Sequence, residues 1–296
     1  MTTATSCATG RGRPSATPCR PTSGLRRTGA TRAADPRDDP RRRFPMPKIV
    51  LHEFPGGAGV PSVSPPCTKV ELALRLARAE FKVRQVRSGA EARRVSRTGR
   101  LPVLEIDGER IADSNLILDR LETLFPEAGL APDDPQQRVV DRLWEHFATD
   151  AIYWTGFALR WVNPPTREIF LDALFGRASW LTRRMVRLFF VPAQRRRAEI
   201  HGAGLKDAGT LLGEVDRALA MAETGLAGGP FLQGRDRPAR GDLALASLHV
   251  QAGFRGRREP LLERLERRPA LVEHLRRTLA ACGIDGPAWL TPTSTP

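Results

Sequence analysis

Arg100-Leu101-Pro102-Val103-Leu104-Glu105-Ile106-Asp107-Gly108-Glu109-Arg110-Ile111-Ala112-Asp113-Ser114 holds a proline turn, two short strands and a helix start in one stretch. The Asp107-Gly108 pair between apolar runs is a hairpin signal, because a two-residue type I′ turn needs positive φ at both central positions. Ser114 reads as the cap of a helix carrying Leu116, Ile117, Leu118, Leu121 and Leu124, which ends at Phe125-Pro126. Upstream, Arg87 to Gly99 is a polar, weakly helical connection, and Phe81 to Val86 alternates as a strand. Before that, Pro66 opens a helix with Val70, Leu72, Leu74 and Leu76 at its apolar positions, proline being harmless where the N–H has no helical partner. Phe54 to Ser64, rich in Gly and Pro, is a loop, and Lys48 to His52 is a buried strand. The predicted order is β-α-β-α-β-β-α.

Beyond Pro135 the pattern is helical. Gln137 to Trp161 reads as one long helix carrying Trp144, Phe147, Trp154, Phe157 and Trp161, stopped by Asn163-Pro164-Pro165. An aromatic stripe at this spacing serves as core or as the wall of an apolar binding site. Leu205 to Leu226 is a second long helix, Leu232 to Gly241 a loop, and Asp242 to Ala252 an apolar helix. Trp180 to Phe190, basic with apolar anchors, reads either as an internally packed helix or as one lying on a membrane surface.

The chain carries 47 Lys and Arg against 33 Asp and Glu, a formal net charge of +14. Half of that excess lies in residues 1–45, which hold ten Arg and three Asp. The remaining Arg alternates with acids on predicted helix faces and is not interleaved with stacking aromatics, which argues against a nucleic-acid partner. Residues 1–46 have almost no large apolar side chain, so a disordered tail is expected there, with Met46 as the expected true start. Of four Cys, Cys7 and Cys19 lie in the tail, Cys282 lies near the far end, and Cys67 alone sits in a motif. That spacing makes neither a disulfide framework nor a metal site, and suits a reducing, cytoplasmic compartment. No apolar run reaches eighteen residues, so no transmembrane segment is expected.

The order of elements, with Leu101-Pro102 and Asp113-Ser114 in place, resembles the amino-terminal thioredoxin-like domain of the glutathione S-transferase superfamily. Ser64-Pro65-Pro66-Cys67-Thr68-Lys69-Val70-Glu71 is most similar to the branch containing the failed-axon-connections proteins and metaxins. Tyr153-Trp154, Arg160-Trp161 and Ile200-His201-Gly202-Ala203-Gly204 resemble the helical-domain signatures of that branch. The resemblance spans roughly residues 47–283. It implies an α/β thioredoxin-like, glutathione-binding domain over 47–128 and an all-α domain over 133–283. It further implies a detoxifying homodimer that takes glutathione as co-substrate, uses no metal, and conjugates or reduces small hydrophobic electrophiles. The branch also includes members without established transferase chemistry, so a non-catalytic, metaxin-like binding or structural protein is the alternative, with or without attachment to a membrane surface.

The resemblance assigns site residues one by one. Ser64 stands where Ser-type transferases carry the hydroxyl that hydrogen-bonds the thiolate, at a helix start that favours an anion, and where a plain N-cap would also stand. Cys67 stands where a second redox cysteine would fall, without a cysteine at position 64, and is either a packed thiol or a chemical one. Pro102 is expected to be cis, exposing the Leu101 backbone to the cysteinyl backbone of the peptide. Arg100 would hold a ligand carboxylate or lie in solvent. Asp113 and Ser114 would receive the γ-glutamyl ammonium and carboxylate, with Ser114 equally suited to capping. Trp154, Phe157 and Trp161 would form the electrophile's wall. The family's buried helix begins with Ser or Thr three residues before an acid. Here Ala239 takes the cap position, and Asp242 retains the acid half of the capping box.

Overall fold

The computed structural model describes residues 47–253 and 258–290. The expected disordered tail of residues 1–46 and the expected start at Met46 lie outside them. Strand β1 (Ile49–Glu53) is an inner strand of a four-stranded sheet ordered β2-β1-β3-β4. On one side β2 (Phe81–Gln85) runs parallel to it, with Ile49 opposite Phe81. On the other side β3 (Val103–Ile106) is antiparallel, Leu51 facing Leu104, and β4 (Glu109–Ala112) closes the hairpin with Val103 opposite Ala112. Asp107 and Gly108 turn at φ 50° and 92°, as a type I′ hairpin requires. Asp107 Oδ1 accepts the Lys48 N–H at 2.9 Å, which ties the hairpin to the foot of β1.

The parallel β1–β2 pair needs a crossover, supplied by helix α1 (Pro65–Leu76). Helix α2 (Gly89–Val95) links β2 to β3, and α3 (Ser114–Leu124) follows β4. Asp113, at φ 87°, is the N-cap of α3, its Oδ1 accepting the N–H groups of Asn115 at 2.8 Å and Leu116 at 3.4 Å. The cap expected at Ser114 therefore falls one residue earlier, because the Asp side chain reaches two following amides, and Ser114 is the first helical residue. Helix α1 is buried on nearly every side, since it packs against both α3 and α10 (Arg240–His249). Even Lys69 and Glu71 on it are buried.

The helical half departs from the periodicity in several places. The predicted single helix of 137–161 begins at Pro135 behind an Asp134 cap, and it is interrupted. Helix α4 (Pro135–His146) passes through a π-helical segment, Phe147–Ile152, into α5 (Tyr153–Trp161). Next come α6 (Pro164–Phe175), α7 (Trp180–Met185), a second π segment at Val186–Phe190, and α8 (Val191–His201). Helix α9 (Ala208–Gly225) starts later than predicted because Asp207 caps it, accepting the Thr210 N–H at 2.9 Å, while Ala203–Leu205 forms a separate turn. Helix α10 is shifted toward the amino terminus by the acid half of its capping box: Asp242 accepts the N–H of Ala239 at 2.8 Å and of Leu232 at 2.9 Å. Helices α11 (Pro260–Glu266) and α12 (Pro269–Ala281) complete this half. Helix α10 lies against α4 so closely that a Cβ on Gly241 would stand 2.8 Å from the Trp144 Cβ. One core joins Leu51, Leu72 and Ile117 of the sheet side to Leu243, Val250 and Leu275 of the helices.

The junction of α1, α3, α4 and α10 is ionic. Lys69 Nζ donates to Glu145 Oε1 at 3.0 Å and to the Asn115 side-chain carbonyl. Arg240 donates to Glu145 Oε2 at 2.8 Å, Asp119 Oδ1 at 2.6 Å and the Asn115 carbonyl at 3.1 Å. Burial alone would raise the Glu145 carboxyl, but Lys69 and Arg240 overcome it and hold the group below its ordinary range. Glu53 is the opposite case. Burial, with Glu71 beside it, pushes its carboxyl up to about 9. Between the ordinary value of about 4.3 and that figure, the folded chain holds a proton that the unfolded chain releases, so stability falls as pH rises through this window. Glu53→Gln is therefore expected to match the parent melting temperature near pH 4 and to exceed it by several degrees at pH 8. An equal melting temperature at pH 8 would show that Glu53 is ionised in the fold.

Candidate functional site

Helix α1 starts with Ser64 in the cap position and Pro65 and Pro66 in the first turn. A helix start ordinarily offers four free N–H groups. Here two are removed by proline, and the Ser64 N–H is directed at Ser62 Oγ at 3.3 Å. The Ser64 hydroxyl makes no cap hydrogen bond and lines the main cleft. An anion at this helix start therefore depends on the hydroxyl more than the fold alone would require. The preceding loop is fastened from both halves of the molecule: Thr68 Oγ1 and Gln251 Nε2 donate to the Ser62 carbonyl at 3.1 and 2.7 Å, and Ser62 Oγ donates to the Phe54 carbonyl at 2.7 Å.

Cys67 is fully buried and packs with Leu101, Val103 and Ala92, so the α1 start and the proline turn abut. Burial pushes its thiol up to about 12, against hydrogen bonding from Ser64 that acts in the other direction. The thiol is protonated at neutral pH and faces away from solvent. The Leu101-Pro102 bond is cis, and both residues are buried at the end of β3. Arg100, just before them, is exposed, and its charge acts on Tyr153 and Arg197. Asp113 is exposed and Ser114 buried at the α3 start, the same start that Lys69 and Arg240 hold through Asn115. Of the residues expected at the site, Ser64, Phe157 and Trp161 line the cleft itself.

The cleft has a volume of about 870 Å³. Its wall is Tyr153, Phe157 and Trp161, one helical turn apart along α5, with ring centroids 5.8 and 6.2 Å apart in succession. Phe189 and Phe190 close it from the second π segment, Phe190 meeting Trp161 edge-on at 5.3 Å. Trp154, expected in this wall, lines a separate pocket instead, stacked on His201 at 4.3 Å. Its place one residue from Tyr153 turns it about 100° around the helix. The i, i+4, i+8 spacing of 153, 157 and 161 is the signal that selects Tyr153, the chain's single tyrosine, over Trp154. Burial raises the Tyr153 hydroxyl, against the charge of Arg197 that acts in the other direction, so it stays protonated near neutrality. Arg197 and Gln194 carry no sequence signal because α8 has no simple apolar period, while Phe189 and Phe190 come from the Trp180–Phe190 segment expected to pack internally or to lie on a membrane surface.

A β2-β1-β3-β4 sheet with a cis-proline turn beside a helix start, followed by a helical bundle, is the glutathione S-transferase fold. Residues 65–166 match the glutathione S-transferase N-terminal domain. Among individual proteins, the chain is similar to Failed axon connections of Drosophila melanogaster, 29% identical over 119 residues, or 38% of this chain and 28% of that protein. It is also 27% identical over 116 residues to protein LigF of Sphingobium sp., 38% of this chain and 44% of LigF. Each match thus spans less than half of the curated relative. The solved structure of beta-etherase LigF from Sphingobium superposes with a TM-score of 0.57 over 80% of this chain and 97% of LigF, at 21% identity. A glutathione transferase homologue from Sulfitobacter with bound glutathione superposes at 0.51, covering 80% and 95%, at 14% identity.

Proposed function

We propose that the chain is a glutathione-dependent transferase that joins the peptide's sulfur to a small apolar electrophile, or reduces that electrophile. The observation that carries this reading is Ser64: its hydroxyl is unused in capping and opens into the same cleft as the Tyr153–Phe157–Trp161 wall. In this reading Ser64 holds the thiolate, the Leu101 backbone at Pro102 pairs with the cysteinyl residue, and Asp113 with Ser114 receives the γ-glutamyl head. Arg100 takes the remaining carboxylate. The lining fits a peptide that carries two carboxylates, since it includes arginines and, among its described residues, no Asp or Glu. Calorimetry should show glutathione binding at micromolar to millimolar concentration. No heat at millimolar glutathione would sink the enzyme reading and leave a metaxin-like binding protein.

A reducing cytoplasm would supply the co-substrate. Homodimerisation is part of the proposal, supported by apolar side chains that face outward on adjacent helices, Leu116 on α3 with Val139 and Leu143 on α4, Leu143 being 62% exposed. A monomeric mass by light scattering at tens of micromolar would remove it. A second reading, attachment to a membrane surface, has its own observation: Trp180 is 73% and Phe189 65% exposed on a segment that also carries Arg183, Arg184 and Arg187. Flotation with anionic but not neutral liposomes would support it. No helix among the described residues is long and apolar enough to cross a membrane.

A further inference from the structure

Among the described residues, most buried or half-buried arginines are matched with acids. Arg240 meets Glu145 and Asp119, and Arg160, in the wall of the main cleft, meets Glu259 at 3.1 Å and the Gln251 carbonyl at 3.0 Å. Arg197 on α8 differs. Its guanidinium lies over the Phe157 ring, 5.1 Å from the centroid, and Nη1 donates to Gln194 Oε1 at 2.8 Å. Its Nε is buried without a hydrogen-bond partner, and among the described residues no carboxylate lies within ion-pairing distance. A guanidinium withdrawn from water without a counter-ion is costly, and arginine cannot escape the cost by losing its proton. Arg87 and Arg93 line the same cleft and add to its positive charge.

We infer that the cleft is built for an electrophile that carries an anionic group, a carboxylate or sulfonate on an apolar body, with Arg197 as the receptor of that group. This rests on the transferase reading and names its substrate class. Arg197 belongs to the electrophile's half because it lines the cleft with its guanidinium over Phe157 of the aromatic wall, whereas the proposed receptors of the peptide lie on α1, β3 and α3. A planar guanidinium laid on a ring keeps its N–H edge for two-point recognition of an anion. The apolar body would lie against Trp161, Phe189 and Phe190.

The test compares 4-chloro-3,5-dinitrobenzoate with 1-chloro-2,4-dinitrobenzene, which lacks the carboxylate. In both, the glutathione sulfur forms a C–S bond to the ring, chloride leaves with the C–Cl electron pair, and the thiol proton passes to solvent. Arg197→Gln should lower kcat/KM for the benzoate about 10- to 100-fold, the scale of one charge-assisted hydrogen bond, and change the neutral substrate and the KM for glutathione less than about twofold. Arg197→Lys, which keeps the charge and the fold but not the fork, should fall between. Calorimetry with the unreactive pair 3,5-dinitrobenzoate and 1,3-dinitrobenzene reads the receptor without catalysis. Wild-type preference for the acid, lost in Arg197→Gln, supports the inference even if neither chloride is turned over, an outcome that would defeat the transferase reading alone. Equal affinity of the wild type for both ligands overturns the inference. So does an Arg197→Gln effect confined to glutathione, which would place the residue in the peptide's half.

Discussion

Ser64→Ala is expected to slow turnover at neutral pH about 10- to 100-fold while leaving the affinity for glutathione nearly unchanged. The two prolines of the α1 start leave few amides to hold a thiolate, so under the proposed function the hydroxyl would supply a charge-assisted hydrogen bond of about 1.5–3 kcal/mol with little to replace it. The pKa of the bound thiol should rise by about 1–2 units, because each unit corresponds to about 1.4 kcal/mol between protonation states. The loss should therefore shrink as pH is raised, which a pH profile of kcat reads directly. Affinity should persist because the proposed γ-glutamyl and backbone contacts would remain, whereas Asp113→Ala should weaken binding with a smaller effect on the saturated rate. The alternative nucleophile is Cys67, a buried thiol pushed up to about 12. Equal activity in the wild type and Ser64→Ala, with loss in Cys67→Ser, would reverse the assignment.

Glu145→Gln is expected to cost about 3–5 kcal/mol, because it leaves the buried Lys69 and Arg240 without their shared acid. At roughly 2–4 °C per kcal/mol for a chain of this size, the melting temperature should drop by about 10 °C. The pH dependence follows from the depressed Glu145 carboxyl. Its stabilisation is fully present above the unfolded value of about 4.3 and is lost as pH falls through the lower, folded value. The difference between Glu145→Gln and the wild type should accordingly narrow in acid. Adding Lys69→Met should restore part of the loss, a coupling that a double-mutant cycle measures. A melting temperature within 2 °C of the wild type would mean that the cluster contributes little. Since Lys69 and Arg240 also hold Asn115 at the α3 start, the variant should bind glutathione more weakly than its stability alone requires.

The parts of the fold that were legible in the sequence are those whose causes are local. Asp107-Gly108 needs two positive φ values, Pro65-Pro66 suits only a first turn, and the apolar runs of β1 and β3 are short and continuous. The cis bond at Leu101-Pro102 was expected from the family resemblance and is present. What stayed hidden depends on partners far apart in the chain. Lys69 and Glu145 are 76 residues apart, and Glu145 and Arg240 are 95, so a lysine in an apolar helix carried no sign of its acid. Arg197 looked like one arginine among many in a basic segment, and only the packing of α8 over Phe157 separates it from the solvated ones. Ser114 and Asp113 compete for one cap, and the choice rests on a backbone angle that residue type alone does not dictate.

The π segment at Phe147–Ile152 separates chain length from side-chain register in this rod. A π turn carries one residue more than an α turn, so everything after it is rotated by about 100° relative to the ionic face before it. The same rod thereby presents Glu145 to α10 and Tyr153, not its neighbour Trp154, to the cleft. Removing a single residue between 147 and 152 would let the π turn close as an α turn, which takes one residue fewer, so Glu145 would still face α10 and Tyr153 the cleft. The segment is thus a point at which the rod can gain or lose one residue with its ionic face and its aromatic wall both kept in register.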